Sequence, residues 1–164
     1  MGLLFWGELI SEAIKMKNLL NAVANQEIID RVNNLTPSSQ AQWGKMNVAQ
    51  MLAHCQVPLQ VAFGEVKLKQ GLIGILLGGL VKKKLMSDKP FKKSLPTDKS
   101  FVVVDQRDFN EEKEKLSVLI NHFVSKGPVG ISKNPHPIFG KMTPDEWGYL
   151  AWKHLDHHLT QFGV

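Results

Sequence analysis

The chain alternates between amphipathic stretches with helical spacing and polar stretches that contain helix caps. The first amphipathic stretch, from about Asn18 to Leu35, has apolar residues three and four positions apart, which is typical of a helix with one buried face. The second begins at Asn47, with Gln50 placed three residues later to form a capping box. Both stretches predict α-helices.

Two further helices are predicted in the C-terminal part of the chain. The third helix begins at Asp108, has Glu111 in the capping position, and is ended by Gly127-Pro128. The fourth follows Thr143–Glu146, which supplies an N-cap, a proline at the first helical position and a glutamate at the third. It is predicted to run to about Phe162.

The segment between the second and third helices carries the least periodic pattern. It contains the apolar, glycine-rich run 71–79 and the lysine clusters 82–84 and 89–93. Apolar and basic residues lie in consecutive blocks, whereas a membrane-surface helix has them on opposite faces. The glycines are not followed by Gly-Lys-Ser/Thr, so the run is not a phosphate-binding loop. We predict a long crossover, followed by an extended segment near residues 100–105.

Together these elements predict an all-α protein, a four-helix bundle with a long crossover between helices 2 and 3. The length of 164 residues suits a single domain, which we assign to residues 16–164. Residues 1–15 are predicted to form a separate N-terminal apolar arm. Met16 is a second candidate start, after which the sequence reads as a complete domain.

Charge, hydropathy and cysteine content indicate which partners and which cellular compartment to expect. The net charge of +5 is compatible with binding nucleic acid or anionic lipid. The lysines of the crossover have only Phe91 as a stacking aromatic, so we expect no nucleic-acid partner. No apolar run is long enough to span a bilayer, and we expect no membrane partner. The single Cys55 excludes an internal disulfide, and without a recognisable signal peptide the sequence predicts a cytoplasmic protein.

Histidines on two predicted helices form a candidate metal site. His154 and His158 stand four residues apart, which places both imidazoles on one helix face where they can bind one metal ion. His54 flanks the apolar stripe of the second helix and is the candidate third ligand. The alternative interpretations are a solvated pair of histidines near a helix end and a core-edge His54 bonded to a backbone carbonyl.

The remaining candidates are predicted to have other roles. Cys55 points about 100° away from His54, so the two do not share a metal, and Cys55 is predicted to fill the core. His122 lies off its helix stripe and is predicted to be solvated. A solvated loop residue is also the favoured interpretation of His136, with a proton shuttle as the alternative. His157 is predicted to point away from the histidine pair.

The order of these motifs resembles the DinB/YfiT-like superfamily of proposed metal-dependent enzymes. Its members commonly carry a histidine on the second helix and a His-x-x-His-His-x-x-Gln run on the last, as residues 154–161 do here. The resemblance covers roughly residues 16–164. Within the superfamily, this part of the chain looks like one uncharacterised branch. It implies that His54, His154 and His158 bind a divalent metal, and that the protein forms homodimers to which the N-terminal arm contributes. Leu159-Thr160 departs from the Arg-Gly common in the superfamily, so substrate details tied to those residues do not transfer.

A site of three neutral imidazoles predicts a strongly Lewis-acidic metal, with zinc or nickel the most suitable ions. Such a metal activates a bound water for hydrolysis or deprotonates a bound thiol. The hypotheses are therefore a metal-dependent hydrolase acting on a small-molecule substrate and, from the resemblance, a transferase that uses a small thiol cosubstrate. The alternative is a non-catalytic metal-binding or interaction protein. Asp156 and Glu146 are the available acids for a general base, and neither is assigned.

Overall fold

A computed structural model describes residues 17–68, 72–95 and 101–164. The predicted N-terminal arm, residues 1–15, lies outside the described residues. The helices are α1 (Ala22–Asn34), α2 (Val48–Phe63), α3 (Leu72–Leu85), α4 (Phe109–Lys126) and α5 (Pro144–Gln161), with a 3₁₀ turn at Pro128–Gly130. No strand occurs within the described ranges, so the prediction of an all-helical protein is confirmed.

Local capping sets the starts of α2 and α5, as the sequence predicts. The Asn47 side chain accepts a hydrogen bond of 2.8 Å from the Gln50 amide, and the Gln50 side chain accepts one of 3.1 Å from the Asn47 amide. The same reciprocal pair joins Thr143 and Glu146 at the start of α5. Each capping box satisfies two backbone N–H groups that the helix cannot.

The first helix begins later than predicted, at Ala22 instead of near Asn18. Asn21 caps it, because its side-chain oxygen accepts from the amides of Val23 and Ala24. Asn18 is buried and donates from its side chain to the Asp145 carbonyl at 3.1 Å. Either asparagine could cap a helix by residue type. Asn18 instead contacts α5, and Asn21 is the cap.

The crossover contains a helix, α3, that the sequence pattern does not predict. Glycine lowers helix propensity, but at Gly78 it permits close packing, because a β-carbon there would collide with the carbonyl oxygen of Ile138. Lys82 then pairs with Glu146 at 2.6 Å and donates to the Lys141 carbonyl at 3.0 Å. Tertiary contacts therefore hold α3 against the segment that leads into α5.

The segment that follows α3 is fastened to α5 by a buried lysine. The ammonium of Lys153 donates to the carbonyls of Leu85, at 2.7 Å, and of Ser87. It also lies 4.9 Å from the centroid of the Phe91 ring. Tyr149, one turn earlier on α5, donates from its hydroxyl to the same Ser87 carbonyl at 3.1 Å. These contacts fix the position of the chain between Leu85 and Phe91.

The core lies among α1, α2, α4 and α5, where α4 packs on α1 and α2, and α5 packs on the same two helices. Cys55 is fully buried there, with its sulfur 3.6 Å from that of Met51, and burial raises the pKa of its thiol. The largest fully buried side chains of this core are those of Leu19, Ile28, Leu35, Met51, Leu52, Leu59, Leu116, Ile120, Phe123, Leu155 and Leu159. Among the described residues, no helix has the length and apolar character needed to cross a membrane.

Candidate metal centre

Three imidazoles from α2 and α5 converge on one point. The Nε2 atom of His54 lies 3.2 Å from Nε2 of His154 and 3.1 Å from Nε2 of His158. His154 and His158 share a face of α5, with ring centroids 4.7 Å apart. His54 reaches them because α2 packs against α5. The three residues predicted as ligands could therefore hold one metal ion.

Hydrogen bonds behind the imidazoles decide which ring nitrogens carry protons. The Nδ1 atom of His54 lies 2.8 Å from the Phe101 carbonyl oxygen, which can only accept, so Nδ1 holds the hydrogen. The Gln161 amide donates to the Trp43 carbonyl, which leaves the Gln161 oxygen to accept from Nδ1 of His158 at 2.8 Å. Both histidines therefore direct an unprotonated Nε2 toward the shared point.

This arrangement fits a bound metal better than it fits an empty core. Two Nε2 lone pairs of neutral rings cannot hydrogen-bond to each other, and buried unsatisfied polar atoms are destabilising. Zinc–nitrogen bonds of about 2.0–2.1 Å at tetrahedral angles place ligand nitrogens about 3.3 Å apart. The observed separations of 3.1 and 3.2 Å are close to that value. Nδ1 of His154 is buried without a partner among the described residues.

Burial keeps the three rings in the neutral form that binds metal. It lowers the pKa of His54, against a smaller opposing effect of the hydrogen bond to Phe101. The pKa of His158 falls to about 3 because of burial and, secondarily, the neighbouring His54. Burial likewise holds the pKa of His154 well below its usual value, with smaller contributions from the other histidines.

A cavity of about 740 Å³ opens beside the three imidazoles, which form part of its wall. Among the described residues that line it, Lys45 is the one with a charged side chain, and none is an aspartate or glutamate. Apolar side chains make up most of the wall, chiefly those of Met46, Pro58, Leu85, Phe91, Leu95, Phe101, Ile138, Phe139, Trp147, Leu150 and Ala151.

The two acids considered as general bases are used elsewhere. Asp156 forms an ion pair of 2.7 Å with Arg31. Glu146 pairs with Lys82 at 2.6 Å and closes the capping box of α5. Neither is among the described residues that line the cavity. A base for proton transfer is therefore not supplied by these carboxylates.

His157 contributes to the wall without reaching the three-histidine point. Its ring lies between two aromatic rings, 5.7 Å from that of Trp43 and 5.8 Å from that of Phe91. Both partners lie outside helices, and one of them, Phe91, belongs to the segment that Lys153 fastens to α5. Helical spacing alone gives no signal for these contacts.

Of the two histidines predicted to be solvated, one is buried and the other is half-buried. His136 is buried, and its Nδ1 accepts hydrogen bonds from the amides of Ile138, at 3.1 Å, and Phe139, at 3.2 Å. Its ring stacks on that of Phe139, with 4.2 Å between centroids. His122 is half-buried and packs edge-on against Phe63. The prediction was wrong for His136 because residues 136–140 form a tight turn that folds the ring inward, which a loop composition does not reveal.

We expect the buried His136 to make the protein less stable in acid. Burial lowers its pKa from 6.5 to about 4. As the pH falls, His136 is therefore protonated near pH 6.5 in the unfolded chain but only near pH 4 in the folded protein. The stability that depends on a neutral His136 is thus present above pH 6.5 and lost as the pH falls toward 4, by about 3 kcal/mol in total. His136→Asn removes this titration while its side-chain oxygen can still accept from the turn amides. We expect urea unfolding at pH 7 and pH 4 to show a smaller loss in the variant, and equal losses would contradict the prediction.

Residues 14–163 match a family described as a protein of unknown function (DUF1569), and the chain belongs to this family. No curated protein and no solved structure matches the chain. The family is uncharacterised, so the resemblance to the DinB/YfiT-like superfamily stays a prediction.

Proposed function

We propose that this member of the DUF1569 family is a divalent-metal-dependent enzyme that acts on a small molecule. The observation that carries the proposal is the meeting of three imidazole nitrogens at the wall of a 740 Å³ cavity. Structural zinc sites usually have four protein ligands, whereas catalytic sites have three and keep a position for water or substrate. The group of described residues that could hold the ion consists of three histidines, with no cysteine or carboxylate among its members, and this matches the catalytic pattern.

We also propose that the fold is a four-helix bundle of the DinB/YfiT-like kind, with α3 as part of its crossover. Helices α1, α2, α4 and α5 each pack against two of the others, which gives a closed ring of four contacts. Bundles of this kind build metal sites from side chains on facing helices, as α2 and α5 do here. A homodimer with a contact through the N-terminal arm remains an expectation drawn from that superfamily.

The residues of the chain have distinct tasks in such an enzyme. His54, His154 and His158 would hold zinc or nickel, and the bound metal would supply a Lewis acid that lowers the pKa of a water or thiol. Phe101 and Gln161 orient two of the rings through their Nδ1 atoms, the kind of support that metal-binding histidines need. The apolar wall limits water, which strengthens electrostatic interactions within the cavity.

Thiol transfer is the better supported of the two reactions. Hydrolysis by a metal-bound water is assisted by a nearby general base, and the described lining contains no carboxylate for that role. A thiol would release its proton to water on binding such a metal, so that reaction would need no carboxylate in the cavity. In the reaction we propose, the thiolate sulfur forms a bond to an electrophilic carbon, the bond between that carbon and the leaving group breaks, and the leaving group departs with the electron pair of the broken bond. The hydrolase is the second candidate.

The test is a pair of assays on zinc-loaded and nickel-loaded protein. One follows conjugation of a panel of small thiols to monochlorobimane, and the other follows hydrolysis of p-nitrophenyl esters. We expect metal-dependent conjugation that falls to the uncatalysed rate in His158→Ala and is retained in His122→Ala, a matched histidine outside the cavity. Hydrolysis without conjugation would select the second candidate. Failure in both assays would favour the non-catalytic alternative.

A further inference from the structure

The cavity has a second polar position, separate from the metal centre. His136 lies beside Trp147, with 5.0 Å between ring centroids, and both line the cavity. Trp147 and His154 are seven residues apart on α5, which corresponds to about 10 Å along a helix axis. The region near His136 and Trp147 is thus displaced from the three imidazoles by about 10 Å along the axis of α5.

His136 can offer a hydrogen bond to a ligand but cannot accept one. Its Nδ1 lone pair already accepts from the amides of Ile138 and Phe139. A neutral imidazole carries its one hydrogen on the other nitrogen, so Nε2 is a donor. The ring therefore cannot act as a general base, and the proton-shuttle interpretation requires breaking the turn that holds it. A fixed donor in an apolar wall is suited to binding an oxygen atom.

On α5, the residues that line the cavity between Trp147 and His154 are Leu150 and Ala151, and both are apolar. Ile138, in the turn that holds His136, also lines the cavity, and Lys45 is the one charged side chain in the described lining. A charged or strongly polar group held in this middle region would lose water without gaining a partner, which is unfavourable. The middle of a bound molecule should therefore be hydrocarbon-like, with polar groups confined to its ends.

We propose that the cavity binds an elongated molecule with a metal-binding group at one end, an apolar middle, and a hydrogen-bond-accepting oxygen about 10 Å away that receives the Nε2 hydrogen of His136. The inference rests on the proposed function, because it uses the metal centre as one anchor. It deepens that function by naming the substrate class. It also assigns His136 as a specificity-determining residue.

The experiment compares two probes of nearly equal size on zinc-loaded protein. Decanohydroxamic acid has a metal-binding head and a hydrocarbon tail, and 9-oxodecanohydroxamic acid adds a ketone oxygen about 10 Å from the head. By calorimetry we expect the ketone to bind about 3–10-fold more tightly to the native protein, the usual contribution of one hydrogen bond. In His136→Phe we expect the preference to reverse, because the ketone is then buried without a donor.

Two controls separate recognition by His136 from its role in the turn. His136→Asn keeps an acceptor for the turn amides but has a shorter side chain, so it should lose the preference for the ketone and keep its affinity for decanohydroxamic acid. The isomer 5-oxodecanohydroxamic acid places its oxygen in the apolar middle and should bind less tightly than the parent to every variant.

The outcomes distinguish this inference from the proposed function. If decanohydroxamic acid binds the zinc-loaded protein but the ketone preference is the same in the native protein and both His136 variants, the inference is overturned and the metal site stands. If decanohydroxamic acid does not bind the zinc-loaded protein, the open metal site is contradicted and the inference fails with it. Loss of binding in His54→Ala would support the metal as the anchor of the head group.

Discussion

His54→Ala is expected to lower the affinity for zinc by roughly 10²–10³-fold. Sites with four protein ligands bind zinc with about 10–16 kcal/mol, so one ligand accounts for roughly 2.5–4 kcal/mol. His54 is the candidate ligand that α2 contributes, and its removal leaves two imidazoles from a single helix. The measurement is competition with a chromophoric zinc chelator, together with elemental analysis of protein purified without added metal.

Two further variants are expected to show a smaller loss of zinc affinity and no loss, respectively. Gln161→Leu leaves all three imidazoles in place but removes the acceptor for Nδ1 of His158, and we expect a loss of about 10–100-fold in zinc affinity. His122→Ala removes a half-buried histidine outside the site and should leave zinc binding unchanged. Stoichiometric metal retained by His54→Ala at native affinity would rule out the three-histidine centre.

The local part of the site is readable from the sequence. His154 and His158 share a face because they are four residues apart on α5, and the Thr143–Glu146 capping box fixes where that helix begins. The helical phase is therefore known before any tertiary contact is considered. The pairing of α2 with α5, which adds His54, needed the resemblance to a known arrangement as well.

The hydrogen-bond partners that orient the site histidines could not be predicted from the sequence. The acceptors that fix the tautomers of His54 and His158 include a backbone carbonyl at Phe101 and a side chain, Gln161, that is itself held by the Trp43 carbonyl. Every residue has a carbonyl, so residue type gives no signal for such a partner. The burial of His136 has the same origin, since backbone amides two and three residues later hold its ring.

The crossover illustrates a second limit. Its glycines and its blocks of apolar and basic residues give no clear helical face, yet α3 forms there. Gly78 and Lys82 gain contacts with the Ile138 and Lys141 carbonyls and with Glu146, all more than 55 residues later in the chain. Interactions at this separation can override weak local propensity. The same region supplies Leu85 and Phe91 to the cavity wall, so the shape of the site could not be predicted either.

Phe123→Ala should lower the free energy of unfolding without weakening zinc binding by the folded protein. Phe123 is fully buried on α4, and its ring packs 4.9 Å from that of Phe63 on α2. Truncation of a buried phenylalanine usually destabilises a protein by about 3–5 kcal/mol, because contacts are lost and a cavity is left. No described residue of α4 lines the cavity beside the histidines, so the folded variant should bind zinc as the native protein does.

Urea unfolding of the metal-free protein measures this loss, and zinc titration at low temperature tests the folded fraction. Val118→Ala, a matched truncation on the same helix at a side chain that is 49% exposed, should change stability by less than about 0.5 kcal/mol. Equal destabilisation by the two variants would mean that the buried Phe123 side chain contributes no more to stability than the exposed Val118 side chain. Weakened zinc binding by folded Phe123→Ala would mean that packing of α4 on α2 sets the position of His54, because α2 is the one helix that contributes both to that packing and to the site.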